Sequence, residues 1–509
     1  MASATKVIRN FYRDSVALMQ LSSQLAKLPG LRQASAIMAS PANLALLREA
    51  GLLSGAVDAG PNDLLIAMVG ESDDALTKAI AAAQAAFDEK PPSGGDGPAR
   101  EPPHSIEMGL EVMPGANLAL ISTPGDYAPA EAMKALRLGL NVMMFSDNVA
   151  LADEVALKRY ADAHELMVMG PDCGTAILGG VPLGFANVVR RGAIGVVGAS
   201  GTGLQQVTCL IDRAGQGISQ AIGTGGHDLH KDVGGITMLR GLDALAADKA
   251  TKVIVLISKP PAPEVAQKIF ERARSAKKPV VVAFLGADPK SITGRNLHPA
   301  ATLEDAASAA AALAQGKKPK PSVAIPKIKM PRLARTQKYI RGLYSGGTFC
   351  YEASLILGGA LAPVTSNTPV GKAMAMKDVW KSEGHMLLDL GDDVFTRGRP
   401  HPMIDHRLRN ERIAKEAADP ETAVILLDVV LGYASHLDPA GEIAPVLKAA
   451  QARAKKGGRK LVFIGFVCGT AGDPQNMAAQ EKVLADAGMI LARSNAQAVR
   501  LAAKVVKGR

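Results

Sequence analysis

The chain has 509 residues, of which 48% are hydrophobic and 21% are charged, and its 58 basic and 48 acidic side chains give a formal net charge of +10. This length exceeds what one hydrophobic core supports and predicts about three to four domains. The composition is typical of a soluble globular protein and excludes a disordered or fibrous chain. No apolar run approaches the ~20 residues that a membrane-spanning helix needs.

The beginning of the chain and its cysteines indicate where the protein works. Residues 1–19 lack an apolar segment followed by a small-residue cleavage site and include Asp14, so we expect neither an export nor a transit signal. The cysteines are scattered and form no Cys-x-x-Cys pair, which predicts neither a disulfide framework nor a metal cluster. Both features favour the reducing cytoplasm. The cysteines are Cys173, Cys209, Cys350 and Cys468.

The first segment, residues 1–90, alternates strand-like and helix-like stretches. The strand-like stretches "KVIRNFY", "LRQASAIMA" and "DLLIAMVG" are each followed by a helical pattern, and Ser72 is a good N-cap for the third helix. We predict a ferredoxin-like α/β domain that serves packing or oligomerisation. The next stretch, 91–105, is rich in Pro and Gly and predicts a linker.

Residues 106–190 continue the alternation and predict part of a Rossmann-like domain of the CoA-binding type. The stretches "NLALISTPG", "NVMMFSD" and "LMVMGPDCG" are strand-like and separated by helical patterns, which implies parallel strands with right-handed crossovers. A nucleotide-binding Rossmann domain places a glycine-rich loop after its first strand. Because no GxGxxG sequence precedes this segment, we expect the front half of the domain to be missing.

Residues 191–316 and 334–509 carry the same order of elements, which predicts two related flavodoxin-like domains. In the first, "AIGVVGASGTG" is an apolar strand that enters a glycine turn, and "YIRGLYSGGTF" begins the second in the same way. The basic stretch between them, 317–333, has no aromatic side chains that could stack on bases. We therefore favour an interdomain linker over a binding site for an anionic polymer.

The two glycine turns predict anion-binding sites. A strand that enters a helix through Gly and Ser or Thr exposes backbone N–H groups at the positive end of the helix dipole, and glycine lets an anion approach closely. Packing alone can also place glycine there, but the matching positions in the two repeats favour anion binding. The predicted anion-binding residues are Ser200, Gly201, Thr202, Gly203, Gly225 and Gly226 in the first repeat, and Gly346, Gly347 and Thr348 in the second.

Polar side chains beside these turns suit substrate binding or proton transfer. Arginine binds carboxylate or phosphate through two parallel hydrogen bonds, and histidine can transfer a proton near neutral pH. Capping of helices and loop backbone is the alternative for any one of them, and a loop cysteine is more often inert than nucleophilic. The spacing His227-x-x-His230 lacks a clear third ligand, so we predict no metal site. The predicted catalytic residues are His227, Arg399 and His401, and the predicted substrate contacts are Asp172, Cys173, Asp392 and Arg397.

Long stretches of the chain resemble known families. "MGPDCGT" and "GAIGVVGASGTGLQQVTCLIDRAGQGISQAIGTGG" are similar to the α subunit of succinyl-CoA synthetase, and "VILLDVVLGYASH" and "KLVFIGFVCGTAGDPQ" resemble the ligase domain of its β subunit. "RDSVALM", "SGGTFCYEA" and "GRPHPMID" resemble the FdrA family. The FdrA likeness covers nearly the whole chain, whereas the synthetase likeness covers roughly residues 117–506.

These resemblances imply a function. In the synthetase, one helix start from each of two ligase domains faces a shared active site and steadies a phosphate. The implied positions here are the turn at 200–202 and the helix start after Gly432, and the glycine turns of the two repeats are expected to face each other across the same crevice. The FdrA family includes AllF, a subunit of the oxamate carbamoyltransferase that converts oxalurate and phosphate to oxamate and carbamoyl phosphate in allantoin degradation. The resemblance implies phosphate as co-substrate and AllG-like and AllH-like sister subunits, with a homo-oligomer as a further option and no nucleic acid or membrane partner.

The chain departs from the synthetase pattern at positions that ligation needs. The loop that carries the phosphorylated histidine in the synthetase is shortened, and His298 falls near the final helix of the first repeat. Where the synthetase has an acid after the third strand, this chain has Ser258 and Lys259, and Lys259 suits contact with an anionic substrate. The sequence shows neither an ATP-grasp segment nor the front half of the CoA-binding domain. We expect neither tight CoA binding nor ATP-dependent ligation by this chain alone.

Three functions remain open at this point. The first is a carbamoyltransferase subunit, and the second is an acyl-CoA synthetase-like enzyme whose CoA and nucleotide sites need a partner. The third is a non-catalytic scaffold or regulatory subunit. Phosphate-dependent turnover of oxalurate by the assembled subunits would separate the first from the second. Partners that this chain stabilises without any turnover would favour the third.

Overall fold

The computed structural model describes residues 2–13, 15–88, 102–320, 325–329, 332–361, 363–396 and 400–508. They form two compact units, unit 1 (1–172 with 393–405) and unit 2 (173–392 with 406–509). Most of the linker predicted at 91–105, and parts of the one predicted at 317–333, lie outside the described residues. No helix in these ranges is both long enough and apolar enough to cross a bilayer.

Unit 1 begins with a ferredoxin-like α/β domain. Its central strand β3 is antiparallel to both neighbours, in the order β1-β3-β2. Helices α1 and α3 pack on one face and α2 packs on the other, because apolar residues point alternately to the two faces along the strands. The elements are β1 (Ala2–Ile8), α1 (Ser15–Ala26), β2 (Leu31–Met38), α2 (Pro41–Glu49), β3 (Leu64–Gly70) and α3 (Asp73–Asp88). The predicted cap is present, since the Ala75 N–H donates to Ser72 Oγ at 3.3 Å.

The second part of unit 1 is the partial Rossmann-like domain. Three strands in the order β4-β5-β6 are all parallel, as the strand–helix alternation predicts. Helix α5 buries four residues of one stripe, Ala128, Ala132, Ala135 and Leu136, in the core of this domain. The elements are α4 (Ile106–Val112), β4 (Leu118–Ile121), α5 (Ala128–Arg137), β5 (Asn141–Met144), α6 (Leu151–Ala163) and β6 (Val168–Met169).

Unit 2 contains a first flavodoxin-like sheet of seven strands. Its order is β13-β12-β11-β9-β10-β7-β8; the first five strands are parallel and the last two are antiparallel. The elements are β7 (Thr175–Leu178), β8 (Val181–Gly184), β9 (Arg191–Gly198), α7 (Gly201–Arg213), β10 (Ile218–Gly223), α8 (Ile236–Ala247), β11 (Val253–Ser258), α9 (Pro263–Ser275), β12 (Val280–Phe284), a 3-10 turn (Pro289–Ser291), β13 (Leu297–Pro299) and α10 (Leu303–Ala314).

The second flavodoxin-like sheet also has seven strands, and all of them are parallel. Its order is β16-β15-β17-β14-β18-β19-β20, and the five strands from β17 to β20 match the five parallel strands of the first sheet. The elements are β14 (Tyr339–Tyr344), α11 (Gly347–Ala360), β15 (Val364–Ser366), β16 (Met374–Ala375), β17 (His385–Asp389), α12 (Asp393–Thr396, in unit 1), α13 (Arg407–Ala418), β18 (Thr422–Val430), α14 (Pro439–Lys456), β19 (Val462–Cys468), α15 (Met477–Asp486), β20 (Met489–Ala492) and α16 (Asn495–Lys507).

The outer two strands at one edge of the first sheet lie in a range that we predicted to belong to another domain. Residues 175–184 fall within the range 106–190 that we predicted to be Rossmann-like, but β7 pairs with β10 in unit 2. In the second sheet β15 and β16 take the equivalent edge. In each sheet the two outer strands cover the edge of the next strand, β10 or β17, whose backbone N–H and C=O groups would otherwise be unpaired. Such short strands carry too weak an apolar pattern to be read from the sequence.

One close approach between strands depends on two glycines. A Cβ on Gly192, at the start of β9, would lie 2.4 Å from Cα of Gly217, just before β10. We expect Gly192→Ala to destabilise unit 2 by roughly 1–3 kcal/mol, as overpacked cores do, and to lower its Tm by several degrees. Calorimetry of the full chain measures this.

Gly359→Ala is the matched control. Gly359 lies exposed in α11, and a Cβ added there would have no other atom within 4 Å. Because alanine favours the helix by roughly 0.5–1 kcal/mol, this variant should be neutral or slightly stabilised. Equal Tm values for the two variants would contradict the packing account.

Candidate anion-binding site

Two helix starts of unit 2 face each other at the carboxyl ends of the parallel strands. Helix α7 begins directly after β9, and α11 begins directly after β14. Ser200 Oγ and Thr348 Oγ1 form a hydrogen bond, and a Cβ on Gly346 would lie 3.0 Å from Cγ2 of Thr202. The predicted facing of the two glycine turns is therefore confirmed. A Cβ on Gly346 would also lie 2.5 Å from Cδ2 of Phe349, so glycine is needed there for packing within α11 as well as for this approach.

Each helix start leaves backbone donors for a ligand. Ser200 caps α7, because its Oγ accepts the N–H of Gly203 at 3.0 Å. The Gly203 N–H is therefore used by the cap, and the prediction that Gly203 binds an anion is wrong. Within the described ranges the N–H groups of Gly201, Thr202, Gly347 and Thr348 have no acceptor. Unpaired N–H groups of this kind are the usual anion donors at helix starts.

Three other helix starts in unit 2 already have a carboxylate. Asp228 accepts two N–H groups in the first turn of α8, and Asp438 caps α14. Glu352 accepts the Leu303 N–H at the start of α10. A carboxylate at a helix start stabilises the positive end of the dipole. Among the described contacts the start of α7 has only the Ser200 hydroxyl, so an external anion can take the role that a carboxylate has elsewhere.

The loop before α11 is held by a buried ion pair. Asp428 in β18 and Arg409 in α13 are fully buried, and Arg409 Nη1 lies 3.0 Å from Asp428 Oδ1. The Asp428 carboxylate also accepts the N–H groups of Ser345 at 2.9 Å and of Gly346 at 2.8 Å. Because a buried charge without its partner costs about 3–5 kcal/mol, this pair fixes the backbone that leads into α11.

Asp389 and Lys259 flank the start of α11 from opposite sheets. Asp389 is the last residue of β17, and its Oδ2 would lie 2.6 Å from a Cβ on Gly347. Burial raises the pKa of Asp389 to about 7, although the Gly391 N–H donates to its Oδ1 at 3.0 Å and Lys259 opposes the shift. Lys259, which the sequence predicted to contact substrate, places its Nζ 5.4 Å from the centre of the Tyr351 ring in α11.

Sequence reasoning missed Asp389. It lies at the end of an apolar strand in "LLDLGDD", at the position that Gly223 has at the end of β10 in the first sheet. This difference between aspartate in the second repeat and glycine in the first is the sequence signal that could have identified Asp389. The neighbouring Asp392, which was predicted, lies three residues on and adds a negative charge that raises the pKa of Asp389.

The second glycine cluster lies beside α7. The Thr224 N–H donates to the carbonyl of Gly198 at 2.9 Å, which keeps the end of β10 beside the end of β9. Gly225 follows with φ +84°, a left-handed conformation that favours glycine. The rings of His227 and His230 lie 5.0 Å apart in the exposed loop that follows. The strand β10, which precedes Gly225, Gly226 and His227, thus lies beside the strand that leads into the predicted turn. Anion binding by the two glycines and catalysis by His227 stay predictions.

The structure gives Cys173 and Gly432 packing roles. Cys173 is 2% exposed, and its thiol contacts the carbonyl oxygens of Thr175 and Gly223. A thiol buried in this way is inert. A Cβ on Gly432 would lie 2.6 Å from the carbonyl oxygen of Ala186. Gly432 is therefore required by close packing.

The predicted helix start after Gly432 is also wrong. Helix α14 begins only at Pro439, and the Asp438 carboxylate caps it. The partner of α7 is α11. His298 lies in β13 and pairs in register with Val281 of β12, so it is part of the sheet.

Several predicted residues belong to unit 1 or lie outside the described residues. Asp172 and His401 are in unit 1. Asp172 has φ +56°, and its N–H donates to Ser146 O at 2.9 Å. His401 binds within its own loop, where Nδ1 accepts the Met403 N–H at 3.2 Å. Arg397 and Arg399 lie outside the described residues.

Three family models match the chain. The model described as "CoA-ligase" matches residues 343–505, and "CoA binding domain" matches 189–286. The model described as "AllF, heavy metal-associated domain" matches 1–103. Residues 1–103 contain neither cysteine nor histidine, so this segment lacks the thiolate and imidazole ligands that soft metals need. No group of three or more potential metal ligands occurs elsewhere in the described ranges either.

The chain is similar to one protein over nearly its whole length and to ligase subunits over about a third of its length. It is 42% identical over 506 residues to the uncharacterized protein YahF of Escherichia coli K12, covering 98% of this chain and 97% of YahF. It is 28% identical over 193 residues to the ADP-forming sulfoacetate-CoA ligase subunit SauD of Bilophila wadsworthia, covering 36% of this chain and 63% of SauD. It is 29% identical over 181 residues to the ADP-forming succinate–CoA ligase α subunit of Staphylococcus epidermidis, covering 34% of this chain and 57% of that subunit.

Solved structures match more distantly. A dinucleotide-forming acetyl-coenzyme A synthetase 1 from Ca. Korarchaeum cryptofilum is 14% identical with a TM-score of 0.33, covering 77% of this chain and 84% of that chain. An ATP citrate lyase from Methanothrix soehngenii is also 14% identical with a TM-score of 0.34, covering 62% and 56%.

A buried glutamate joins the two flavodoxin-like sheets beside the site. Glu352 in α11 accepts the Leu303 N–H of α10 at 2.8 Å and Nδ2 of Asn495 in α16 at 2.8 Å. Ser494 Oγ, which caps α16, donates to Glu304 of α10 at 3.0 Å. These contacts fix α10, α11 and α16 around the helix starts. Burial raises the pKa of Glu352 to about 7.

This pKa predicts a pH-dependent stability. The folded protein holds the Glu352 proton up to about pH 7, whereas the unfolded chain releases it near the ordinary value of 4.5. Unfolding therefore releases a proton between these values, and the free energy of unfolding falls as pH rises through them. Glu352→Gln removes this titrating group. The free energy of unfolding of the variant minus that of wild type should therefore rise by on the order of 3 kcal/mol from about pH 5 to pH 8.

Urea unfolding at a series of pH values measures this. The raised pKa of Asp389 also makes the free energy of unfolding fall as pH rises. Both proteins contain Asp389, so its effect cancels when their free energies of unfolding are subtracted. Parallel stability curves for wild type and Glu352→Gln would contradict the assignment.

Proposed function

Because the chain belongs to the FdrA family of succinyl-CoA synthetase-related proteins, we propose that it binds phosphate or an acyl phosphate between α7 and α11 and transfers a carbamoyl-type acyl group to or from it. The observation that carries the proposal is the contact between Ser200 and Thr348. It brings to one place two hydroxyl groups and four N–H groups that have no acceptor among the described residues.

The backbone N–H donors suit a phosphate group whose negative charge changes during the reaction. When a phosphate oxygen attacks a carbonyl, charge develops on the carbonyl oxygen, and preorganised N–H donors stabilise it. Two helix dipoles point their positive ends at the same point, and Lys259 adds a full positive charge beside α11. Holding phosphate and acyl donor together replaces a bimolecular encounter with an intramolecular step.

We propose oxalurate and phosphate as the substrates, and oxamate and carbamoyl phosphate as the products. Support comes from the AllF description of the matched N-terminal model and from the FdrA-like sequences "SGGTFCYEA" and "GRPHPMID". All these substrates are anions, which suits the donors described above. AllG-like and AllH-like subunits would complete the enzyme. The predicted contacts of Arg399 and His401 with the carboxylate or carbamoyl end stay predictions.

A second candidate is acyl-CoA ligation with a partner subunit. The similarity to the ADP-forming ligase subunits favours it, and so does the CoA binding model over 189–286. The glycine turn after β9 in that range could accept a phosphate group of CoA. The chain covers 63% of SauD and 57% of the succinate–CoA ligase α subunit, so their activities need not extend to it.

The test is an assay of carbamoyl phosphate formation by the full chain with its sister subunits. Ser200→Ala and Thr348→Val each remove a hydroxyl between the helix starts. Loss of one hydrogen bond to a charged group costs roughly 1.5–3 kcal/mol, so turnover should fall about ten- to a hundredfold in each variant.

Ser40→Ala is the matched control, because Ser40 caps α2 in unit 1 in the same way that Ser200 caps α7. Each capping variant should lose about 0.5–2 kcal/mol of stability, but only Ser200→Ala should lose turnover. Wild-type turnover in folded Ser200→Ala and Thr348→Val would contradict the proposal. Phosphate-independent formation of a CoA thioester would replace it with the ligase.

A further inference from the structure

We propose that the Asp389 side chain transfers the proton in this reaction, giving it to the leaving atom of the acyl donor and taking it from phosphate. This inference rests on the proposed function, because it assigns a residue to that same site. The likeness to the known families assigns no role to Asp389.

The position of Asp389 carries the inference. Its Oδ2 would lie 2.6 Å from a Cβ on Gly347, so the carboxyl group lies against the first residue of α11. Oδ1 accepts the Gly391 N–H, whereas Oδ2 has no hydrogen-bond partner in the described residues. Asp389 as a whole residue is half-buried. Oδ2 is therefore open to a ligand that binds the N–H groups of Gly347 and Thr348.

The backbone of Asp389 is held on both sides. Its N–H donates to Asn367 Oδ1 at 2.9 Å, and its carbonyl accepts Nδ2 of Asn367 at 3.0 Å. Asp389 also pairs in register with Tyr344 of β14. A proton-transferring group needs a fixed position within hydrogen-bond reach of the reacting atom. A residue at the end of a central strand meets this need better than one in a loop.

The surrounding charges place the proton affinity of Asp389 in a useful range. Lys259 faces it from the loop after β11, and Asp392 from its own loop. Asp428 faces it from β18 and is paired with Arg409 of α13, while the buried thiol of Cys350 faces it from α11. With burial, these groups leave the pKa at about 7. A carboxyl group with this pKa can both give and take a proton near neutral pH.

The proton and electrons balance in the proposed step. An oxygen of hydrogen phosphate attacks the carbamoyl carbon of oxalurate, and the C–N bond to the oxamate portion breaks. The electron pair of that bond goes to nitrogen, which takes the proton from Asp389. Asp389 then takes the proton of hydrogen phosphate. The products are oxamate and carbamoyl phosphate, and no oxidant or further reactant is needed.

The first experiment is the pH profile of kcat for Asp389→Asn in the assembly with sister subunits. Loss of a general acid–base group lowers turnover about 10²–10⁴-fold, and the inflection near pH 7 should disappear. The KM for phosphate should change less than kcat, because the backbone donors remain. Asp438→Asn is the control; asparagine also caps helices, so its profile should equal that of wild type.

The second experiment uses the purified chain and does not depend on the reaction. Sulfate does not titrate in this range, and its binding is measured by the rise in Tm. Wild-type affinity for sulfate should fall about tenfold or more as pH rises through 7, because Asp389 becomes an anion beside the bound one. Asp389→Asn should bind sulfate equally on both sides of pH 7.

The outcomes separate the two proposals. An active wild-type assembly in which Asp389→Asn keeps the kcat and the inflection overturns the proton transfer and leaves the proposed function in place. An assembly that forms no carbamoyl phosphate contradicts the proposed function. In that case, equal pH dependence of sulfate binding in wild type and Asp389→Asn would also remove Asp389 from the anion site.

Discussion

The site depends on the meeting of two positive helix ends. Helices α7 and α11 begin at residues whose hydroxyl groups, Ser200 and Thr348, bind each other. Each helix start carries roughly half a positive charge, so this arrangement is repulsive without an anion between them. At three other helix starts described in unit 2, those of α8, α10 and α14, a carboxylate relieves that charge. Here the carboxyl group that lies beside the donors is that of Asp389, whose pKa burial raises to about 7, so the fold gathers positive charge that a phosphate group can neutralise.

Contacts between the two flavodoxin-like sheets hold this unfavourable arrangement in place. Asn187 donates to Leu431 O at 2.9 Å and to Asp473 Oδ2 at 2.8 Å, both in the second sheet region. On the other side, Glu352 spans α10 and α16. The buried pair of Asp428 and Arg409 fixes the backbone before α11. The free energy of these contacts offsets the repulsion between the helix ends.

The main elements could be predicted from the sequence because their signals are local. The strands β9 and β14 are apolar runs that end in glycine turns, and the matching order of elements implied that these turns face each other. The edge strands β7 and β15 depend on which strand edge they cover, which a short sequence does not show. Gly432 looked like a helix start, but its role depends on the approach of Ala186 from a distant segment. The pKa of Asp389 likewise arises from residues that only the fold brings together.

A crystal structure of the full chain with inorganic phosphate would test the central claim most directly. We expect one phosphate between the helix starts, with oxygen atoms within hydrogen-bond distance of the N–H groups of Gly201 or Thr202 in α7 and of Gly347 or Thr348 in α11. Ser200→Ala combined with Thr348→Val should weaken this density. Phosphate bound at only one helix start, or helix starts that remain in contact with no phosphate between them at saturating concentration, would contradict the account.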